Sequence, residues 1–150
     1  MEKLFALILS LALCLGLTAC SGDDSSTPDD VAGGDWRTTG AVRDQGSITR
    51  GGEDTDVLVC VHDADAMLYY DQEEQILYGS VDYPEALPGD PWEAFQSIDF
   101  ADRNGDGDGD VSMLFTVDGE TALMVWFWDG EADDFVFQPE ESQLPGSVQG

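Results

Sequence analysis

The chain has 150 residues, with 32 acidic side chains against 5 basic ones and a net charge of −27. That surplus excludes a nucleic-acid binder and a protein drawn to anionic lipid by its own charge, because phosphate repels it. At 42% hydrophobic and 10% aromatic residues the chain is nevertheless too apolar to be disordered throughout, and its length suits one small domain.

The opening residues, MEKLFALILSLALCLGLTAC, pass from a polar start carrying Lys3 through an apolar stretch to small residues and a cysteine. The apolar stretch, 4–17, is shorter than the roughly 18 to 20 residues that cross a bilayer as a helix, so residues 1–19 are expected to be a secretion signal peptide. Leu17, Thr18, Ala19 and Cys20 together resemble the lipobox of bacterial lipoproteins. The resemblance implies cleavage before Cys20, a diacylglycerol on its thiol with palmitate-type acylation, and a place at the cell membrane or outer envelope facing away from the cytoplasm. Glu2 departs from the usual pattern by cancelling Lys3, and for the same reason loss of the leader leaves the net charge at −27. No lysine follows the leader, so the membrane is expected to hold the protein through lipid and not through a basic patch.

Cys14 leaves with the leader and Cys20 takes the lipid, so Cys60 is the one thiol left and an intramolecular disulfide is excluded. Its place in the apolar run VLVCV predicts a buried, inert group. His62 stands two residues on, a spacing that on a strand lacks the geometry of a nucleophile and its base.

Residues 20–34 are small, acidic and interrupted by Pro28 and a glycine pair, which predicts a flexible tether. From 35 to 140 short runs rich in Val, Ile, Phe, Tyr and Trp alternate with Gly, Asp and Pro clusters, the pattern of strands and turns. Strands are expected near 38–43, 47–50, 56–62, 66–70, 75–81, 96–100, 111–117, 121–128 and 133–138. One short helix is expected at GDPWEAF, where Asp90 suits the N-cap, Pro91 the first helical position and Glu93 a capping box. Residues 141–150 form a polar tail expected to fray.

Two segments, 56–78 and 110–137, follow one plan. Each begins Asp-Val, runs as an apolar strand, turns at acidic residues, runs into aromatics, turns again and ends in a third apolar strand: a three-stranded meander written twice. Asp118-Gly119 and Asp129-Gly130 are good hairpin dipeptides. Two copies fall short of the three or more that a propeller or solenoid needs, so the expected fold is all-β, a sandwich or a curved, partly closed sheet.

The stretch FADRNGDGDGD sets an oxygen-bearing side chain at every second position: Asp102, Asn104, Asp106, Asp108 and Asp110. Calcium takes six to eight hard oxygens, and alternate loop positions can fold inward to supply them. Counting Asp102 as the first position, the first six match an EF-hand loop, but the twelfth is Met113 where a bidentate Glu is needed, and a strand follows instead of a helix. The strand–loop–strand form resembles the calcium loops of FG-GAP and VCBS-type repeats over about forty residues, 97–138. That resemblance implies side-chain ligands at Asp102, Asn104, Asp106 and Asp110, a backbone carbonyl from Asp108, and a structural Ca2+. The earlier acidic stretch GGEDTD, 51–56, lacks the alternation and is expected to bind nothing. The segment MVWFWDGEADDFVF after the loop is also similar to β domains of periplasmic lysozyme inhibitors.

An enzyme is not expected. The chain has a single histidine, no nucleophile beside an evident base, and too many carboxylates for any two to stand out as the pair of a carboxylate-based hydrolase. In 121–128 alternation puts Ala122, Met124, Trp126 and Trp128 on one face and Leu123, Val125 and Phe127 on the other. This is either a central strand covered on both sides or a platform of Trp126 and Trp128 for a carbohydrate or a partner protein. The functional expectation is a lipid-anchored envelope protein with a calcium-braced acidic β domain acting as a binding or structural module. The alternative is an inhibitor or receptor of a basic extracellular protein such as a lysozyme.

Overall fold

The computed structural model describes residues 35–85, 87 and 89–145. The lipidation expected at Cys20, the signal peptide and the tether lie outside these residues. Among the described residues no helix is long and apolar enough to cross a membrane.

Strands β1 (Asp44–Arg50), β2 (Glu53–Val61), β3 (Asp65–Tyr70) and β4 (Leu77–Asp82) form one sheet, in that order. After a single helical turn, α1 (Pro91–Ala94), strands β5 (Phe95–Asp99), β6 (Val111–Val117), β7 (Glu120–Asp129) and β8 (Asp134–Phe137) form a second. Every neighbouring pair is antiparallel, so each sheet is a meander of four strands. β2 to β4 and β6 to β8 are each a run of three consecutive strands, preceded in its sheet by β1 or β5.

Alternation along the strands decides what faces inward. Val57, Val59 and Val61 of β2 point inward with Leu68 and Ala66 of β3, the partners of Val59 and Val61, as do Met113, Phe115 and Val117 of β6 and Ala122, Met124 and Trp126 of β7. Together they make one core between the sheets, with Phe115 met edge-on by Tyr83 at 5.5 Å and Phe95 at 6.0 Å. Burying such a side chain contributes about 1.5 to 3 kcal/mol each, so this core is the main stabilising feature of the fold. The described residues are thus all-β and of sandwich form, with one short α-helix among them.

Local chemistry sets the boundaries. Asp118 and Gly119 both have positive φ, 52° and 83°, which gives β6 and β7 a two-residue turn matched to strand twist. Asp90 Oδ1 accepts the Trp92 N–H at 2.9 Å and Pro91 opens α1, as its sequence predicts.

Three expectations are corrected. Residues 38–43 are not a strand: Asp35 caps a 3-10 turn at Trp36–Thr38, accepting the Arg37 N–H at 3.1 Å, and Gly40 at φ 86° ends any extended run. Asp129-Gly130 is not a two-residue turn; Asp129 Oδ1 accepts the N–H groups of Glu131 and Ala132 and shapes a longer one. Nor do residues 141–145 fray. Leu123 and Gln143 exchange both backbone hydrogen bonds, at 2.8 and 2.7 Å, and the Ser142 hydroxyl accepts the Val125 N–H at 3.0 Å while donating to the Gln138 carbonyl at 2.7 Å.

Candidate functional site: the acidic loop between β5 and β6

The loop that carries the alternating acids leaves the second sheet at Asp99 and returns to it at Val111, and on the way it rests on the first sheet. Phe100 lies against Gly46 of β1, where an added Cβ would fall 2.7 Å from the ring. Gly109 donates its N–H to the Thr49 carbonyl at 2.7 Å and accepts from Arg50 Nη1 at 3.3 Å. A Cβ at Gly109 would stand 2.8 Å from Ile48 Cγ1 and 2.9 Å from the Phe100 carbonyl oxygen, so the approach needs glycine. Gly51, in the β1–β2 turn, donates to Asp108 Oδ1 at 2.7 Å. The stretch 51–56, expected to bind nothing, therefore meets the acidic loop directly.

Arg50 completes this junction. Its guanidinium carbon lies 3.6 Å from the Trp128 ring centroid and 5.3 Å from that of Phe135, so a β1 cation rests on aromatic rings of β7 and β8. Nη2 is enclosed without a hydrogen-bond partner, and the negative ring faces serve the cation instead.

Of the five acidic-loop positions, Asp110 is set apart by being fully buried, 0% exposed. A carboxylate taken out of water needs donors, and it has three. Oδ2 accepts the N–H groups of Arg103 at 2.8 Å and Asn104 at 3.3 Å, and Oδ1 accepts that of Trp128 at 3.0 Å. Asp110 thereby ties the loop's beginning to β7.

The tip is exposed and organised by its own amides. Asp102 accepts from Gly105 at 2.7 Å, Asp106 at 3.2 Å and Gly107 at 2.9 Å. Asn104 Oδ1 accepts from the Asp106 N–H at 2.9 Å, and its Nδ2 donates to Asp106 Oδ2 at 2.8 Å. The Asp108 N–H, bonded to Asp106 Oδ1 at 2.8 Å, and secondly the Asn104 amide hold the Asp106 carboxyl below the usual carboxylate range.

Against a calcium cage these residues fit in part. Asp102, Asn104 and Asp106 offer accessible hard oxygens two residues apart. Asp108 faces Gly51, and Asp110 uses both oxygens on backbone N–H groups. Among the described residues no group of three or more His, Cys, Asp or Glu side chains is arranged to hold a metal ion.

The tryptophans take different parts. Trp126 is 1% exposed, packs against Phe137 at 5.7 Å and donates Nε1–H to the Asp82 carbonyl at 3.1 Å. It presents no ring to a ligand; the inward face of a strand between two sheets buries it. Trp128, half-buried at the end of β7, is held by Arg50 and by the edge of Phe135 at 5.2 Å. Cys60 is 2% exposed on the outer face of β2, and burial pushes its thiol pKa up.

The joining residues Gly51, Arg50 and Gly109 are not marked as a set in the sequence. Arginine is scarce here, only four in the chain, and scarcity is the one signal that could have singled Arg50 out. No family model matches the chain, and neither the curated proteins nor the solved structures include a significant match.

Proposed function

We propose that the chain is a lipid-anchored cell-envelope protein whose acidic β domain serves as a binding or structural module, braced by calcium at the tip of the β5–β6 loop. Asp102, Asn104 and Asp106 would supply side-chain oxygens, with Asp110 as the buried base on which the tip is built. One observation carries this. The loop bonds to both sheets at once, through Thr49, Arg50 and Gly51 on one side and Trp128 on the other, so an ion that stiffens the loop stiffens the junction of the sheets.

Extracellular calcium modules bind at roughly 0.1 to 1 mM, so millimolar calcium would add about 0.6 to 1.8 kcal/mol of stability by mass action. Melting curves of the full chain in non-ionic detergent, in chelator and in 2 mM calcium at fixed ionic strength, test it. A rise of several degrees, smaller with magnesium, is the expected result, and coincident curves overturn the calcium brace. The anchor has its own test: the chain should partition into detergent, and Cys20→Ala should accumulate as an uncut precursor.

A second reading, a receptor or inhibitor of a basic extracellular protein, is favoured by the disposition of the arginines. Arg37 pairs with Asp35 and Asp71, Arg43 lies over Trp92, Arg50 over Trp128, and Arg103 bonds to Ser112 Oγ. All four are engaged, so counter-charge for the acidic surface must come from outside. Binding of a purified lysozyme at about 150 mM salt, measured by calorimetry, tests it; no heat beyond dilution rejects it.

A further inference from the structure

Beside the acidic loop, on the outer face of the second sheet, lies a shallow groove of about 510 Å³. Its floor is apolar. Phe127 of β7 and Val136 of β8 are direct cross-strand partners, so their side chains stand together on that face, and Val136 is 42% exposed. Trp128 borders the groove, while its ring turns to the other face of β7, against Arg50 and Phe135. Three acidic residues, Asp106, Asp129 and Glu131, also line it, all exposed, with no basic side chain among the lining residues.

We infer that this groove is the docking site for a cationic segment of a partner protein, in which lysine or arginine side chains alternate with apolar ones. The inference rests on the basic-partner reading and adds the place and the pattern. An extended segment has side chains of alternate direction, so apolar groups can lie on Phe127 and Val136 while the neighbouring cations reach these carboxylates. Charge selects the occupant: a net charge of −27 repels acidic partners, and although the Arg50 charge acts on Asp106, no basic side chain lines the groove beside Asp129 and Glu131. The turn that presents Asp129 and Glu131 is fixed before binding, because Asp129 Oδ1 accepts the N–H groups of Glu131 and Ala132 at 2.9 and 3.1 Å, so little ordering is needed.

The test uses the full chain in non-ionic detergent, in chelator so that calcium plays no part, and a fluorescein-labelled octapeptide of alternating lysine and leucine. Anisotropy at about 150 mM salt should give a dissociation constant on the order of 10 to 100 μM. Asp129→Asn with Glu131→Gln should weaken binding about tenfold. Asp63→Asn with Glu120→Gln changes the net charge equally and should weaken it less than about twofold, since Glu120 begins the strand that Asp129 ends, about 30 Å away. Phe127→Ser should weaken binding with charge unchanged, and Val136→Ser, at an exposed site, repeats that test if Phe127→Ser melts early. Equal losses from the lining and distal pairs, or octalysine binding as tightly as the alternating peptide, would overturn the groove and leave the basic-partner reading standing. No binding at millimolar peptide would remove both.

Discussion

The sandwich is closed differently along its two long edges. Where β4 meets β8, closure is apolar: Gly79 lies under the Phe135 ring, and Trp126 adds one N–H to the Asp82 carbonyl. Where β1 meets β5, a loop does the joining, through Gly109 on Thr49, Gly51 on Asp108, Arg50 on Trp128 and the three amides around Asp110. Apolar closure asks for volume and tolerates small shifts, whereas the acidic closure asks for particular atoms at hydrogen-bond distance. The second kind is brittle to mutation.

Removing the carboxylate should break that contrast most sharply. Asp110→Ala leaves three enclosed N–H groups unpaired and should cost about 3 to 4 kcal/mol, a fall of more than about 12 °C in melting temperature. Asp110→Asn should approach it even in chelator, because its Nδ2 would face the Arg103 and Asn104 donors; an unchanged melt would mean that Asp110 is not the base of the loop. At the apolar edge Trp126→Phe keeps most of the volume and should cost about 1 to 2 kcal/mol.

The glycines of the two edges sharpen the same point. Gly109→Ala presses a methyl on Ile48 and on the backbone of Phe100 and Thr49, and should cost about 2 to 3 kcal/mol. Gly79→Ala meets a Phe135 ring carbon at 3.3 Å, a contact a small ring movement relieves, and should cost under about 1 kcal/mol. Equal losses in urea melts would erase the distinction.

Only the acidic edge should respond to ions. Asp106→Asn in chelator should melt close to the native chain yet lose the calcium-dependent rise, while Trp126→Phe keeps it. The smallest effect is in acid. The folded Asp106 carboxyl titrates below its ordinary value of 3.8, so its contribution is present above that value and is lost as pH falls through the depressed one. Melting temperature against pH should therefore fall slightly less steeply below 3.8 for Asp106→Asn than for the native chain.

The all-β class was legible because the strand pattern is local, and in β6 alternation sets Val111, Met113, Phe115 and Val117 apart from Ser112 and Thr116; β2 and β7 are apolar on both faces, so their inward side depends on the partner sheet. The misread stretch, 38–43, has strand-like composition, but Asp35 and Gly40 decide its backbone, and capping acts through single atoms. The acidic loop was found by its spacing, and its division was not. Asp102 and Asp110 are the same residue in the same repeat, and burial of the second depends on where β7 and β1 arrive. Arg50 over Trp128 joins residues 78 apart in the chain, a pairing that neither neighbourhood encodes.

The Ser142 hydroxyl that replaces a missing strand partner has a further consequence. β8 is four residues long and pairs only with Trp126 to Asp129 of β7, so the preceding part of β7 would offer bare N–H and C=O groups to any other chain. Gln138, Ser142 and Gln143 fill those places. Residues 138–143 thus stand against self-association: they occupy the template on which a neighbouring molecule would add a strand.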